Sequence, residues 1–444
     1  MRIPQLTHGG QTSRRAFVKL ASLAVASGLA RSMPAGAQTR PAQFRASDFL
    51  DRVGVGIHLR NKVTPYYTNF EGVVALLKPL GIMHLRDDAV VAGYITRDDD
   101  FYKRIRSLVQ AGYRFDLVCQ DPLNGFIFTP TRKVPDIYEW TDGGVEIFEG
   151  ANEPNLVRSQ LGPAISADHQ RALYGVVKST PALRKVLVAS PSYIQKNVAV
   201  AENLSDAVDL INIHPYPGME HPETRGAGEL NHFIADAERI FGKKPVLVSE
   251  SGYHTALTTT KSHLPVSEPI KTRYLPRLLL FNFLASVKRT YIYELIDSFN
   301  NGTGDPESNF GLATFDCAPK PSYHAVAQLI ALFRRPSSQQ VAGRTLQFDL
   351  KGTAQDVFTA TFMRDDGSHL YFFWLGVAGW NPSTRTAKDP TSRRCTVTAS
   401  QRPATIKLHR FQDDGSLSTS EIAPTGGPLD LDIADQLQVL EVTA

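Results

Sequence analysis

Cysteine is scarce: three residues in 444, Cys119, Cys317 and Cys395, are too few and too scattered for a disulfide framework or a zinc cluster. At most one pair could bridge, with free thiols the equal alternative. Beyond the first 37 residues no uninterrupted apolar run reaches the ~20 residues of a membrane-crossing helix, so no integral membrane segment is expected there. A surplus of one charge is lacking too. The formal net charge is +4, from 48 Lys and Arg against 44 Asp and Glu. Residues 1–37 hold Arg2, Arg14, Arg15, Lys19 and Arg31 and no acid; without these five, the other 43 basic residues face 44 acidic ones. Such a balance leaves no electrostatic footprint for nucleic acid, and no nucleic-acid partner is expected. Missing as well is the Gly-x-Gly-x-x-Gly turn that opens many doubly wound sheets, because Gly54-Val55-Gly56 lies inside an apolar run and continues as Ile57-His58-Leu59.

What is present begins with an address. Thr12-Ser13-Arg14-Arg15-Ala16-Phe17-Val18-Lys19-Leu20 resembles the twin-arginine export signal, followed by the modestly apolar Leu20–Ala30 and the small residues Ala35-Gly36-Ala37. Residues 1–37 are therefore expected to be a signal peptide and 38–50 a linker. Twin-arginine export carries folded proteins, so the remainder is expected to work in the periplasm or outside the cell.

From 51 to 335 short apolar runs alternate with segments of helical period. The runs are Val53–Leu59, Ile82–Arg86, Phe115–Gln120, Val145–Gly150, Val186–Ser190, Leu210–His214, Val246–Glu250 and Thr290–Leu295. Eight βα units in about 280 residues have the size of a (β/α)₈ barrel. The pattern changes in 336–444, where strand-like runs recur without helical period and Asp366-Gly367 and Asp414-Gly415 are hairpin signals. The expected fold is an α/β TIM barrel followed by a small antiparallel β-sandwich.

Catalytic groups of such barrels project from the C-terminal ends of the strands. Here those ends carry His58, then Arg86 with Asp87 and Asp88, then Gln120-Asp121, then Asn152-Glu153-Pro154-Asn155. Strand six ends in His214-Pro215-Tyr216, strand seven in Glu250, and strand eight in Glu294 and Asp297. Glu153 and Glu250 end strands four and seven, roughly opposite each other across the mouth. Two opposed carboxylates flanking a groove suit glycosidic bond cleavage, one protonating the leaving oxygen while the other attacks the anomeric carbon.

These segments resemble those of clan A glycoside hydrolases: Phe148-Glu149-Gly150-Ala151-Asn152-Glu153-Pro154-Asn155 at strand four, Val246-Leu247-Val248-Ser249-Glu250-Ser251-Gly252 at strand seven, and Ile213-His214-Pro215-Tyr216 at strand six, as in cellulase-like members. Asn309-Phe310-Gly311-Leu312 and Pro319-Lys320-Pro321-Ser322-Tyr323 are similar to the entry of the last helix, and the tail to the sandwich of β-xylosidase-like families. The resemblance implies a retaining hydrolase of β-linked poly- or oligosaccharides, with Glu153 as acid/base and Glu250 as nucleophile. It also implies substrate-binding roles for Asn152, Arg86, His214 and Tyr216, with His58 and Glu294 as further candidates at strand ends. That chemistry requires no metal and no organic cofactor. Many clan members carry Trp at the end of strand eight; this chain reads Tyr293-Glu294-Leu295-Ile296-Asp297 there.

Two other readings keep the same residues: a barrel that binds glycans without cleaving them, and a transglycosylase remodelling an envelope polysaccharide. The aromatics Tyr66, Tyr67, Phe126, Phe128, Tyr138 and Trp140 either stack on sugar rings or pack their loops down. The acid-rich segment Asn300–Glu307 reads as a solvated loop, with calcium binding as the alternative.

Overall fold

A computed structural model of the protein describes residues 43–91, 95–156, 162–193, 201–226, 229–260, 264–334, 346–352, 356–424 and 427–443. The export signal expected at 1–37 and the boundary expected at 335/336 lie outside the described residues.

In chain order the elements begin with β1 (Gln43–Arg45), α1 (Ala46–Leu50), β2 (Val53–Gly56), α2 (Pro65–Thr68), α3 (Phe70–Leu80), β3 (His84–Asp88), α4 (Asp100–Gln110) and β4 (Arg114–Val118). Next are α5 (Val134–Trp140), β5 (Val145–Glu149), α6 (Gly162–Ser179), β6 (Leu187–Ala189), β7 (Ile211–Ile213), α7 (Leu230–Phe241), β8 (Val246–Ser251), α8 (Glu268–Leu284), β9 (Arg289–Ile292) and α9 (Pro321–Arg334). Strands β2–β9 form one parallel sheet in the order β6-β5-β4-β3-β2-β9-β8-β7. A parallel bridge between Ala189 and Leu210, with the Ser190 N–H donating to the Leu210 carbonyl at 2.9 Å, brings the two ends of that sheet together.

All eight expected barrel strands are present, and none of their residues is exposed, as parallel strands covered on both faces require. The Asn69 side chain accepts from the Gly72 N–H to start α3, and Gly81 ends it in the left-handed conformation. Inside the barrel, Ile147, Ala189, Leu210, Leu247 and Tyr291 pack together. Gly54 makes room for that layer, since a Cβ there would lie 2.3 Å from the Tyr291 ring.

Two expectations change. Residues 43–50, expected as linker, form β1 and α1, and β1 pairs in parallel with a strand of the C-terminal region. The aromatic loop before Trp140 contains α5, whose Val134 and Ile137 are buried; Pro135 near its start and Asp136 in its first turn make a helix signal too short for the 3.6-residue period to register. The amphipathic stretch expected between β6 and β7 includes 194–200, which lie outside the described residues.

The C-terminal region continues with β10 (Phe348–Lys351), β11 (Val357–Met363), β12 (His369–Leu375), β13 (Trp380–Asn381), β14 (Thr386–Ala387), β15 (Ser392–Ala399), β16 (Thr405–Phe411), β17 (Leu417–Ile422), β18 (Leu429–Ala434) and β19 (Gln438–Thr443). A six-stranded sheet, β1-β11-β12-β19-β16-β17, faces the three-stranded β10-β15-β18 across an apolar core containing Phe348, Tyr371, Phe373, Val397 and Ile433. Both Asp-Gly hairpin signals stand where expected, between β11 and β12 and between β16 and β17, with Gly367 and Gly415 at positive φ.

Barrel and sandwich share one apolar core. Phe49 of α1 stacks on Phe333 of α9 at 4.2 Å, and Phe362 of β11 meets Phe283 of α8 at 5.2 Å. Polar contacts cross the same contact face. Fully buried Glu223, in the segment after β7, accepts from Arg277 of α8 and, at 2.6 Å, from the Trp374 indole of β12. Burial pushes Glu223 up, but Arg277 and His221 outweigh it and hold its carboxyl down to about 2. A depressed carboxylate contributes stability that is present above its unfolded value and lost as pH falls toward the folded one. Denaturant titrations from pH 5 to pH 2 are therefore expected to show a loss to which Glu223 contributes about 2–4 kcal/mol. The loss is expected to be smaller by that amount in Glu223→Gln, with other depressed carboxylates such as Asp51 and Glu250 supplying the rest. An unchanged pH slope in that variant would refute the assignment.

Candidate active site

The site is built where the barrel strands end, and its centre is Arg86 on β3. The Arg86 guanidinium donates to both carboxylate oxygens of Glu149, at 2.8 and 3.0 Å, to Glu250 Oε1 at 2.6 Å and to Asn152 Oδ1 at 2.9 Å. Glu149, the last residue of β5, is fully buried and also accepts from Asn212 Nδ2 of β7 at 3.0 Å. Three strands are thus fixed to one guanidinium by charge-assisted bonds. Asp116 of β4 is fully buried against them; burial first, and then the Glu149 carboxylate, push its carboxyl well above the usual range.

After β5 the chain makes a sharp turn that carries Asn152 and Glu153. Gly150 permits it, since a Cβ there would lie 2.7 Å from the Pro191 nitrogen. Glu153 itself adopts φ +45, and its N–H donates to Ser192 Oγ at 3.1 Å. A residue other than glycine in that region is uncommon and marks a place where side-chain direction matters. Asn152 N–H donates to Gln120 Oε1 at 3.2 Å, and with Oδ1 held by Arg86 its amide NH₂ is left toward the cleft.

Glu250 leaves β8 from the opposite wall. Its Oε2 accepts from the Tyr216 hydroxyl at 2.8 Å and lies 3.6 Å from His214 Nδ1. Burial would raise the Glu250 carboxyl, but His214, Arg86 and the Tyr216 hydroxyl outweigh it and hold it well below the usual range. It is an anion at any working pH. His214 bridges the two walls, with Nδ1 3.0 Å from Glu153 Oε1 and Nε2 2.9 Å from Ser249 Oγ.

These groups line a cleft of about 300 Å³ that includes Arg86, Asn152, Glu153, Tyr216, Glu250 and His58. His214 lies beneath its floor. Glu294, a strand-eight candidate, is not brought to the cleft. It is fully buried behind His58, 3.2 Å from His58 Nε2, and accepts from the Tyr66 hydroxyl at 3.1 Å and Ser298 Oγ at 2.9 Å. Although burial works against it, the Glu294, Asp87 and Asp88 carboxylates raise His58 to about 9, so the imidazole is a cation at neutral pH.

The position left in doubt by the absent Trp is filled by Tyr293, which lines the cleft and packs edge-on against Phe310 at 5.1 Å. Its hydroxyl donates to Glu307 Oε2 at 2.7 Å, and Glu307 lines the cleft too. Burial pushes the Glu307 carboxyl up to about 7; Tyr293 and His58 oppose that while Glu294 and Glu250 add to it. Glu149, Asn212, Tyr293 and Glu307 were not singled out as site residues by sequence reasoning. For Glu149 and Asn212 a signal existed, since a charge or amide inside a buried strand demands a partner. Tyr66, one of the loop aromatics, is fully buried against Glu294 and packs its loop, and among the described residues no group of three or more His, Cys, Asp or Glu side chains gathers at 300–307.

One group of side chains could hold a metal ion: Glu153, His214 and Glu250 each offer a ligand atom, all within 4.8 Å of one another. The donor set fits poorly, because Glu250 already carries the Arg86 guanidinium and the Tyr216 hydroxyl. A second cation would meet the first at close range.

No protein-family model and no curated protein matches the chain. Solved structures do. A family 39 glycoside hydrolase from Bacteroides cellulosilyticus WH2 is similar over 91% of this chain and 83% of its own, with TM-score 0.63 at 18% identity. A glucosidase from Croceicoccus marinus is similar over 91% of this chain and 97% of its own, with TM-score 0.58 at 11% identity. These likenesses extend across both regions, and they establish the architecture as a parallel eight-stranded α/β barrel followed by an antiparallel β-sandwich.

Proposed function

We propose that this protein is a retaining glycoside hydrolase acting on β-linked poly- or oligosaccharides. The observation that carries the reading is the approach of Glu153 and Glu250 across one cleft, with one carboxylate oxygen of each within 4.8 Å of the other. Double displacement calls for carboxyl groups roughly 5–5.5 Å apart, and inversion for about 6.5–9.5 Å to admit a water. The structural neighbours, a family 39 glycoside hydrolase and a glucosidase, support the same reading.

In the first step Glu250 attacks the anomeric carbon while Glu153 gives its proton to the departing oxygen. This leaves a glycosyl ester on Glu250 and a carboxylate on Glu153. In the second step Glu153 takes a proton from water, the water oxygen attacks the same carbon, and Glu250 departs as the anion that Arg86 and Tyr216 stabilise. The free amide NH₂ of Asn152 is placed to donate to a ring hydroxyl beside the reacting carbon. His214 orients Glu153 and draws it toward the nucleophile. Residues 1–37 would export the folded chain before they are removed, which is tested by whether a reporter fused to them leaves the cytoplasm only when Arg14 and Arg15 are both present.

The mechanism is tested through Glu153→Gln. Its kcat/KM for substrates with poor leaving groups is expected to fall roughly 10²–10⁴-fold, the usual worth of general acid catalysis. Formation of the glycosyl ester from dinitrophenyl glycosides, which need no proton, should be nearly unaffected in single-turnover experiments. Equal losses on both substrate types would refute the role. Products longer than the starting glycan would assign the same groups to transglycosylation.

A further inference from the structure

The glycosidase reading leaves open what kind of sugar ring the cleft admits, and the segment after β9 bears on this. Glu307 reaches the cleft wall from the acid-rich stretch 300–307. Of its two carboxylate oxygens, Oε2 accepts from the Tyr293 hydroxyl at 2.7 Å, and Oε1 has no protein donor among the described residues. A carboxylate so placed, with one oxygen held and one open, is suited to accept from a sugar hydroxyl.

The cations nearby are already engaged. Arg86 spends its donors on Glu149, Glu250 and Asn152. His58 faces Glu294 at 3.2 Å, and Arg60 donates to Asp88 at 3.1 Å. Among the described residues lining the cleft are five acids, Asp87, Asp88, Glu153, Glu250 and Glu307, and two cationic residues, His58 and Arg86. Glu153 carries its proton when the ring binds, and burial pushes the Asp87 and Glu307 carboxyls up to about 7, so the negative charge facing the ring grows as pH rises through that value. A ring carrying its own carboxylate would meet like charge from these acids, while each nearby cation already faces a protein carboxylate, whereas a ring carrying hydroxyls would find acceptors.

We propose that Glu307 selects an uncharged sugar ring in this cleft, accepting hydrogen bonds from its hydroxyls through Oε1 and refusing a ring that carries a carboxylate. The inference rests on the glycosidase reading for the identity of the ligand and extends it to the ligand's charge. Glu307 is thereby a specificity residue that touches substrate, with Tyr293 holding it in place.

The test uses pairs of 4-nitrophenyl β-glycosides that differ only in a hydroxymethyl or a carboxylate at C6, in the gluco, galacto and manno series. Wild-type kcat/KM is expected to favour the neutral member of the accepted pair by roughly 100-fold, the scale of a like-charge mismatch at a desolvated site. Glu307→Gln is expected to narrow that ratio at least roughly tenfold. A merely structural role would lower both members together and leave the ratio unchanged, which would overturn the proposal; so would a wild-type preference for the uronides. Calorimetric binding of the matching methyl β-glycosides to wild type and Glu307→Gln gives the same ratio without turnover. Absence of turnover with selective binding would therefore defeat the hydrolase reading alone, while unselective binding, or none, would overturn the selection by Glu307.

Discussion

Glu250→Ala is expected to lower kcat/KM for aryl β-glycosides by at least roughly 10⁴-fold, as removal of a covalent nucleophile does when nothing adjacent can replace it. The neighbours explain why nothing can. Arg86 and the Tyr216 hydroxyl aim their donors at this one carboxylate, and Glu153 must serve as the acid in the same step. The fold is expected to survive, because Arg86 keeps both bonds to Glu149 and its bond to Asn152 after Glu250 is gone. Azide supplies the decisive measurement. In Glu250→Ala it would enter the vacated space, attack the anomeric carbon as the aryloxide leaves, and yield an α-glycosyl azide from a β-glycoside. In Glu153→Ala the ester on Glu250 still forms, and azide attacking it would yield the β-glycosyl azide. Full activity in Glu250→Ala, or the same azide anomer from both variants, would overturn the assignment of roles.

How far the site could be read from the sequence depended on which side of a strand each residue faced. The eight barrel strands were legible because parallel strands covered on both faces are continuous apolar runs. Glu153 and Glu250 were legible because they end such runs in recognisable company. The end of strand eight was not read correctly: Glu294 was the candidate, yet Tyr293 lines the cleft. Both residues lie just past the end of β9 at Ile292, where the strand's alternation no longer decides which side chain faces the cleft. Glu307 was hidden for another reason, as a loop's path is set by what it packs on and has no period. In the sandwich, β17 (Leu417-Ser418-Thr419-Ser420-Glu421-Ile422) is an exposed edge strand without an apolar face, so the Asp414-Gly415 turn announces it and the run itself does not. Strand β18 alternates Leu429, Leu431 and Ile433 with Asp430 and Asp432; aspartate is disfavoured in strands, and that masked a correct period-two signal.

Arg86→Ala is expected to do what Glu250→Ala does not, which is to damage the fold as well as the activity. Arg86 and Glu149 are both buried, and the fork of the guanidinium meets both oxygens of the carboxylate. Removing one partner of a buried ion pair leaves an uncompensated charge and costs about 3–5 kcal/mol. Asn212 still donates to Glu149 at 3.0 Å, and Asp116 adds a second acid beside it. Activity should fall with stability, because Glu250 loses a cation that favours its ionised form and Asn152 loses the contact that turns its amide to the cleft. Arg86→Lys keeps the charge but has one ammonium for four acceptors, so intermediate stability and low activity are expected. Equilibrium unfolding of Arg86→Ala beside Arg86→Ala/Glu149→Gln separates the two effects. The second substitution removes the stranded charge, so it should restore much of the stability and none of the turnover. A single Arg86→Ala variant within about 1 kcal/mol of wild type would mean that Glu149 is compensated in some other way, and the account of Arg86 as the brace of three strands would fail.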